Sequence, residues 1–234
     1  MKTEIILALD LPTDRKAFEL IQNIDASQCR LKVGKEMFTR YGPAFVEELQ
    51  KQGFEVFLDL KFHDIPNTVA SACKVASELG VWMVNVHALG GQKMMSDARE
   101  AIGHSASKTL LTAVTVLTSH DEQTLKAIGV DGDIELAVLR LALLAERSGV
   151  DGVVCSSQEV KKLKSKLKQS FLYVTPGIRP QWANKNDQSR VMTPAEAQDV
   201  GVNYIVVGRP VTRSQDPYQA LEKIKQELEV KTHQ

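Results

Sequence analysis

Short apolar runs alternate along the chain with longer stretches in which apolar residues recur three and four apart. Eight runs predict strands: Glu4 to Leu9, Arg30 to Val33, Glu55 to Leu60, Trp82 to His87, Thr109 to Leu117, Gly152 to Cys155, Phe171 to Thr175 and Tyr204 to Gly208. Helical spacing lies between them over Arg15 to Ile24, Ala44 to Gln52, Thr68 to Leu79, Gln92 to Ile102, Ile134 to Ser148 and Gln158 to Leu167. Gly53, Gly80, Gly149 and Gly201 each separate a helical or polar stretch from the next apolar run, where glycine supplies the left-handed turn that ends a helix. ILAL, VFLDL and YIVVG are apolar on both faces, as parallel strands are when helices cover them outside and side chains fill them inside.

Alternating strand and helix implies a parallel sheet, and crossovers of one hand leave an open doubly wound sheet or a closed barrel. The 234 residues amount to roughly 1.6 average domains, which fits two small units or one large one. Eight strand-helix units of roughly 29 residues each suit the eight-fold barrel, and no linker rich in Pro, Gly or Ser divides the chain. The expectation is an α/β fold, a single (β/α)8 TIM barrel over 1–230 with a C-terminal tail over 231–234.

Composition narrows the function classes. Lys plus Arg is 29 and Asp plus Glu is 29, so the formal charge is zero, and a polyanion or membrane-surface partner lacks the basic excess it would need. The 43% hydrophobic content supplies a sizeable core. Cys29, Cys73 and Cys155 are odd in number and far apart, which favours reduced thiols over a disulfide scaffold or zinc ribbon. The apolar run Ile5 to Leu9 is too short for a signal peptide, and no window reaches the length of a membrane span, so the expected location is cytoplasmic.

In an eight-fold barrel the chemistry sits at the C-terminal ends of the strands. There the sequence places Asp10, Lys32, Asp59, Lys61 with Asp64 just beyond, Asn85 and His87, Thr118 and Ser119, Thr175 to Gly177, and Gly208 with Arg209. Positions two apart on a strand share a face, so Asp59 and Lys61 should project together into the barrel mouth. A structural salt bridge would account for that pair alone. With Lys32 and Asp10 on neighbouring strands, a functional cluster explains the buried charges better. Gly177-Ile178-Arg179 and Gly208-Arg209 fall on the loops after strands seven and eight, the usual phosphate site of this fold, although a surface turn explains a Gly-Arg pair as well. The polar stretch 179–192 reads as a lid with Gln188 a candidate ligand, or as an ordinary surface loop, and Thr193-Pro194 caps a helix after it. The five histidines show no metal-ligand spacing, and His87 reads as a strand-end hydrogen-bonder. KKLKSKLK, Lys161 to Lys168, reads as a solvated helix face, and neither a Walker loop nor a dinucleotide fingerprint is present.

These residues carry a resemblance. ALD at 8–10, LKVG at 31–34, FLDLKFHDIPNTV at 57–69, LTS at 117–119, TPGIRP at 175–180, DQSR at 187–190 and VGRP at 207–210 resemble, in this order, the orotidine 5′-phosphate decarboxylase family in its bacterial monofunctional form. The resemblance implies decarboxylation of orotidine 5′-phosphate to UMP without metal or organic cofactor. By it, Lys61 protonates C6 within a Lys32, Asp59, Lys61, Asp64 network, Asp10 and Lys32 hold the ribose, and Thr118 meets the base. Arg179, Gln188, Gly208 and Arg209 would hold the phosphate. It further implies a homodimer with shared active sites, Asp64 and Thr68 coming from the partner subunit.

Rival expectations are a magnesium-dependent lyase similar to 3-keto-L-gulonate 6-phosphate decarboxylase or hexulose phosphate synthase, a Schiff-base aldolase using Lys61, and a non-catalytic sugar-phosphate-binding barrel. The magnesium lyases place an acidic ligand where this chain has Lys32, whose charge would repel a metal.

Overall fold

The computed structural model describes residues 2–103, 108–130, 132–183 and 192–229. Eight parallel strands, each hydrogen-bonded to the next and β8 to β1, close a barrel: β1 (Glu4–Ala8), β2 (Arg30–Gly34), β3 (Val56–Phe62), β4 (Met83–His87), β5 (Leu110–Val114), β6 (Gly152–Val154), β7 (Leu172–Thr175) and β8 (Tyr204–Val207). The helices are α1 (Asp14–Ile21), α2 (Lys35–Lys51), α3 (Pro66–Glu78), α4 (Gly91–Gly103), α5 (Glu122–Ala127), α6 (Ile134–Arg147), α7 (Ser157–Lys164), α8 (Pro194–Asp199), α9 (Arg209–Thr212) and α10 (Pro217–Glu229). The (β/α)8 expectation holds.

The glycine stops behave as expected: Gly53, Gly80, Gly149 and Gly201 take φ values of 89°, 77°, 78° and 84°. Thr193 caps α8 in a capping box with Glu196, an arrangement that stabilises a helix start by about 1 kcal/mol. Several boundaries differ from the sequence expectation, among them the ends of α1 at Ile21 instead of Ile24 and of α7 at Lys164 instead of Leu167, and two have a visible cause. The helix expected from Ala44 begins at Lys35, because α2 continues across a break at Gly42 (φ 62°, ψ −158°) just before Pro43. β5 stops at Val114 instead of Leu117, since its neighbour β6 has three residues and the ladder runs out.

Two apolar clusters separate the barrel's inside from its outside. Ile6, Ala8, Phe57, Met83, Val174 and Val206 fill the lumen, while a much larger cluster joins the strands' outer faces to the helices. Phe57, Ala8 and Val206 lie two residues before Asp59, Asp10 and Gly208, so the lumen is the dry floor beneath the polar mouth. At the opposite end the Arg30 guanidinium lies 4.2 Å from the Trp82 ring centroid and 5.4 Å from that of Tyr204, and pairs with Glu4 and Glu55. That charge is absorbed by its neighbours and serves the packing.

Candidate active site

Four charged side chains from three adjacent strands meet above the lumen. Lys32 and Asp59, each 8% exposed, face one another with Nζ 3.2 Å from Oδ2. Asp59 Oδ1 accepts from Lys61 Nζ at 2.6 Å, and Asp10 Oδ1 lies 3.5 Å from Lys32 Nζ. Signs therefore alternate along Asp10, Lys32, Asp59 and Lys61. Burial works against the charge on Lys32, but Asp59 and Asp10 outweigh it and hold its pKa above the ordinary lysine value. Burial likewise works against the Asp59 carboxylate, and Lys32, then Lys61, outweigh it and hold its pKa below the ordinary value. Both groups stay ionised at neutral pH.

Asp59 and Lys61 come together, but not by the plain alternation expected of a strand. β3 is irregular between Leu58 and Phe62, and Lys61 has φ 53°, the one positive value among described non-glycine residues. A left-handed residue with a side chain costs about 1–2 kcal/mol, and such strain concentrates at functional sites.

Asp64 does not join the row within its own chain. It is exposed, its Oδ1 accepts from the Ile65 N–H at 2.6 Å, and among the described residues no ion pair links it to Lys61. Thr68, in the first turn of α3, is exposed as well. Nearby, Ile65 and Leu89, on the loops after β3 and β4, are 66% and 42% exposed.

Two hollows share part of the charged row as a common wall. The deeper one, about 200 Å³, is mostly apolar, lined by Phe57, Val114, Leu117, Val154 and Cys155, with Thr118 at its side. The outer one, about 590 Å³, runs from Asp10 to Arg179, Gly208, Arg209 and Arg213. Lys32, Asp59, Pro176 and Val206 belong to both. The two hollows thus put a mostly apolar wall on one side of the Lys32 and Asp59 pair and an arginine-rich wall on the other. Arg213 was missed by sequence reasoning; its place four residues after Arg209, at the C-cap of α9, was the available signal.

The ends of the long polar loop are pinned, Ile178 bridging Met192 and the Arg179 N–H donating to the Met192 carbonyl at 2.9 Å. Gln188 and the rest of 184–191 lie outside the described residues, as do His104, His233 and the tail. Among the described residues no three His, Cys, Asp or Glu side chains are grouped to hold a metal ion. Cys155 is buried against the deep pocket, and burial raises its pKa well above the ordinary thiol value, which leaves no thiolate for nucleophilic chemistry.

His87 corrects a sequence expectation. Its Nδ1 is buried without a hydrogen-bond partner among the described residues, and its ring centroid lies 5.6 Å from that of His63, so the expected strand-end bond is not made at Nδ1. Burial, then His63, Lys61 and Lys35, push His87 down to about 4 against the pull of Asp59. The unfolded chain takes up that proton near 6.5 and the folded one only near 4, so stability is lost as pH falls through this window. His87→Gln is expected to flatten that loss. Thermal melts near pH 7 and near pH 4.5 should differ less in the variant than in the wild type, and an equal difference would place the acid limb elsewhere.

Comparisons with known proteins bear on this geometry. The orotidine 5′-phosphate decarboxylase / HUMPS family matches residues 3–224. A protein of Nitrosococcus oceani named orotidine 5′-phosphate decarboxylase is 55% identical over 227 residues, covering 97% of this chain and 98% of that one. One from Saccharophagus degradans with the same name is 55% identical, covering 96% and 94%. Among solved structures, orotidine 5′-phosphate decarboxylase from Lactobacillus acidophilus superposes with a TM-score of 0.87 at 40% identity, covering 97% of this chain and all of that one.

Proposed function

The chain belongs to the orotidine 5′-phosphate decarboxylase / HUMPS family and is a carboxy-lyase, and from that premise we propose that it converts orotidine 5′-phosphate to UMP without a cofactor, Lys61 protonating C6. The observation that carries the reading is the Lys61 ammonium, 2.6 Å from Asp59, on the wall of a mostly apolar hollow that shares Lys32 and Asp59 with an arginine-rich one.

The reaction breaks the bond from C6 to the carboxylate. CO₂ leaves, the electron pair stays on C6 as an sp² carbanion with no conjugated sink, and the Lys61 ammonium gives C6 a proton, regaining one later from water. A cation already in place stabilises the developing charge without reorganisation, which is where enzymes gain most. Asp59 holds that cation, and Lys32 holds Asp59. Asp10 and Lys32 meet the ribose hydroxyls, Thr118 the base, and Arg179, Gln188, Gly208 and Arg209 the phosphate. Arginine forks suit phosphate oxygens, and binding energy spent there orients C6 over Lys61. Arg213 joins this end on the strength of its place in the outer cavity.

Asp64 and Thr68 act in the neighbouring site of a homodimer. Their exposure, the absence of an Asp64 to Lys61 pair within the chain, and apolar Ile65 and Leu89 on the same rim support that arrangement. The chain works as one barrel over 1–230. No described helix is long and apolar enough to cross a membrane, and the three buried free thiols suit a reducing cytoplasm. Small-molecule substrate and a second copy are the partners, with no nucleic acid or membrane.

Lys32 also separates this reading from the magnesium lyase. Its ammonium sits 3.2 Å from Asp59 and neutralises the carboxylate a metal would need. Orotidylate absorbance is expected to fall on mixing with the protein, at the same rate with excess EDTA. No change with a folded sample would sink the assignment, and a rate abolished by EDTA would sink the cofactor-free mechanism.

A further inference from the structure

Asn85, on β4, is 0% exposed, and a buried amide is costly unless its polar atoms are satisfied. It bonds to the two groups that matter most. Its Nδ2 donates to Asp59 Oδ1 at 2.7 Å, the oxygen that also accepts from Lys61 Nζ, and its Oδ1 accepts from the Lys61 backbone N–H at 2.8 Å. The second bond has a cause in the register. Leu58 pairs with Val84 and Phe62 with Val86, so β3 advances four residues while β4 advances two. Two extra residues fit only if β3 bulges, and a bulge takes backbone N–H groups out of the ladder. The Asn85 side chain replaces the missing carbonyl just where the chain passes through φ 53° at Lys61.

We infer that Asn85 is a positioning residue for the proton donor: it holds the left-handed turn from which Lys61 springs and, through Asp59, the ammonium at the far end of the same side chain. It touches no reacting atom. The inference rests on the decarboxylase reading and adds to it the device that aims Lys61. Without Asn85 the Lys61 N–H is orphaned, the turn can relax toward ordinary strand geometry, and Asp59 loses the donor that orients its carboxylate.

Two variants test this in an orotidine 5′-phosphate assay run from about pH 5 to about pH 9. Asn85→Ala is expected to lower kcat on the order of 10²-fold with KM within about threefold of wild type, because the nucleotide contacts are untouched while the reacting geometry slips. Asn85→Asp keeps size and shape. Ionised, it sets a second carboxylate against Asp59 and can donate nothing. Protonated, its O–H donates to Asp59 and its carbonyl accepts the Lys61 N–H, as the amide does. Its kcat should therefore climb as pH falls, giving an acid optimum absent from the wild type, a readout that a packing role would not move.

Asn85→Ala with kcat within about threefold of wild type, or Asn85→Asp with a profile parallel to wild type, would overturn the inference. So would losses in which KM rises in proportion as kcat and Tm fall. If Asn85→Ala is insoluble, the Asn85→Asp profile decides alone. A wild-type chain without turnover defeats the decarboxylase reading and this inference together, whereas an active wild type with indifferent variants defeats only the inference.

Discussion

Lys61→Ala is expected to lower kcat by roughly 10⁴-fold or more while nucleotide binding survives. Two effects disappear together. Positioned proton transfer contributes about 10²–10⁴-fold, and a preorganised charge at the developing carbanion about 10²–10³-fold. Because one ammonium supplies both, the losses compound, and 10⁴ corresponds to about 5.4 kcal/mol of barrier. The fold should persist. Asp59 keeps Lys32 at 3.2 Å and the Asn85 amide at 2.7 Å, so no buried carboxylate is stranded. Alanine meets the same left-handed backbone penalty as lysine, which adds no new strain. UMP binding, which draws on the arginine-rich end, is read by calorimetry beside single-turnover decarboxylation. Retention of a tenth of wild-type turnover would remove Lys61 from the proton-donor role.

Mixing Lys61→Ala with Asp64→Ala should restore activity that neither variant has alone. In the proposed dimer each site takes Lys61 from one copy and Asp64 from the other. A heterodimer then has one site with both residues intact and one with neither. With random exchange of equal amounts, half the dimers are mixed and one of their two sites works, so roughly a quarter of wild-type activity returns. The measurement is turnover after incubation long enough for exchange, which differently tagged subunits report. Demonstrated exchange with no recovery would rule out sharing. The structural motive is an Asp64 carboxylate that turns to the Ile65 N–H at 2.6 Å, beside an Ile65 side chain 66% exposed.

The strands were legible because their physics is local. A parallel strand buried on both faces must be apolar throughout, and the chain between two such strands must turn, so ILAL, VFLDL and YIVVG mark β1, β3 and β8 to within a residue or two. The first half of α2 escaped because Gly42 and Pro43 interrupt its period. Of the candidate site, Asp10, Lys32, Asp59 and Lys61 could be gathered from strand ends alone, since barrel closure brings those ends together. Asn85 could be placed at a strand end but given no task. Its partners lie 24 and 26 residues away, and its bond to the Lys61 backbone exists only because β3 carries a bulge that no local pattern announces.

Sequence alone therefore determined the alternation of strand and helix, the barrel that follows from it, and the residue types offered at its mouth. Each depends on interactions within a few residues or on chain length. Tertiary structure alone decided which charges touch, that Asp64 stays apart from Lys61 in its own chain, and that Lys61 leaves the backbone at φ 53° with Asn85 beneath it. Those outcomes depend on the register between strands distant in sequence, and register is settled only when all eight close around one lumen.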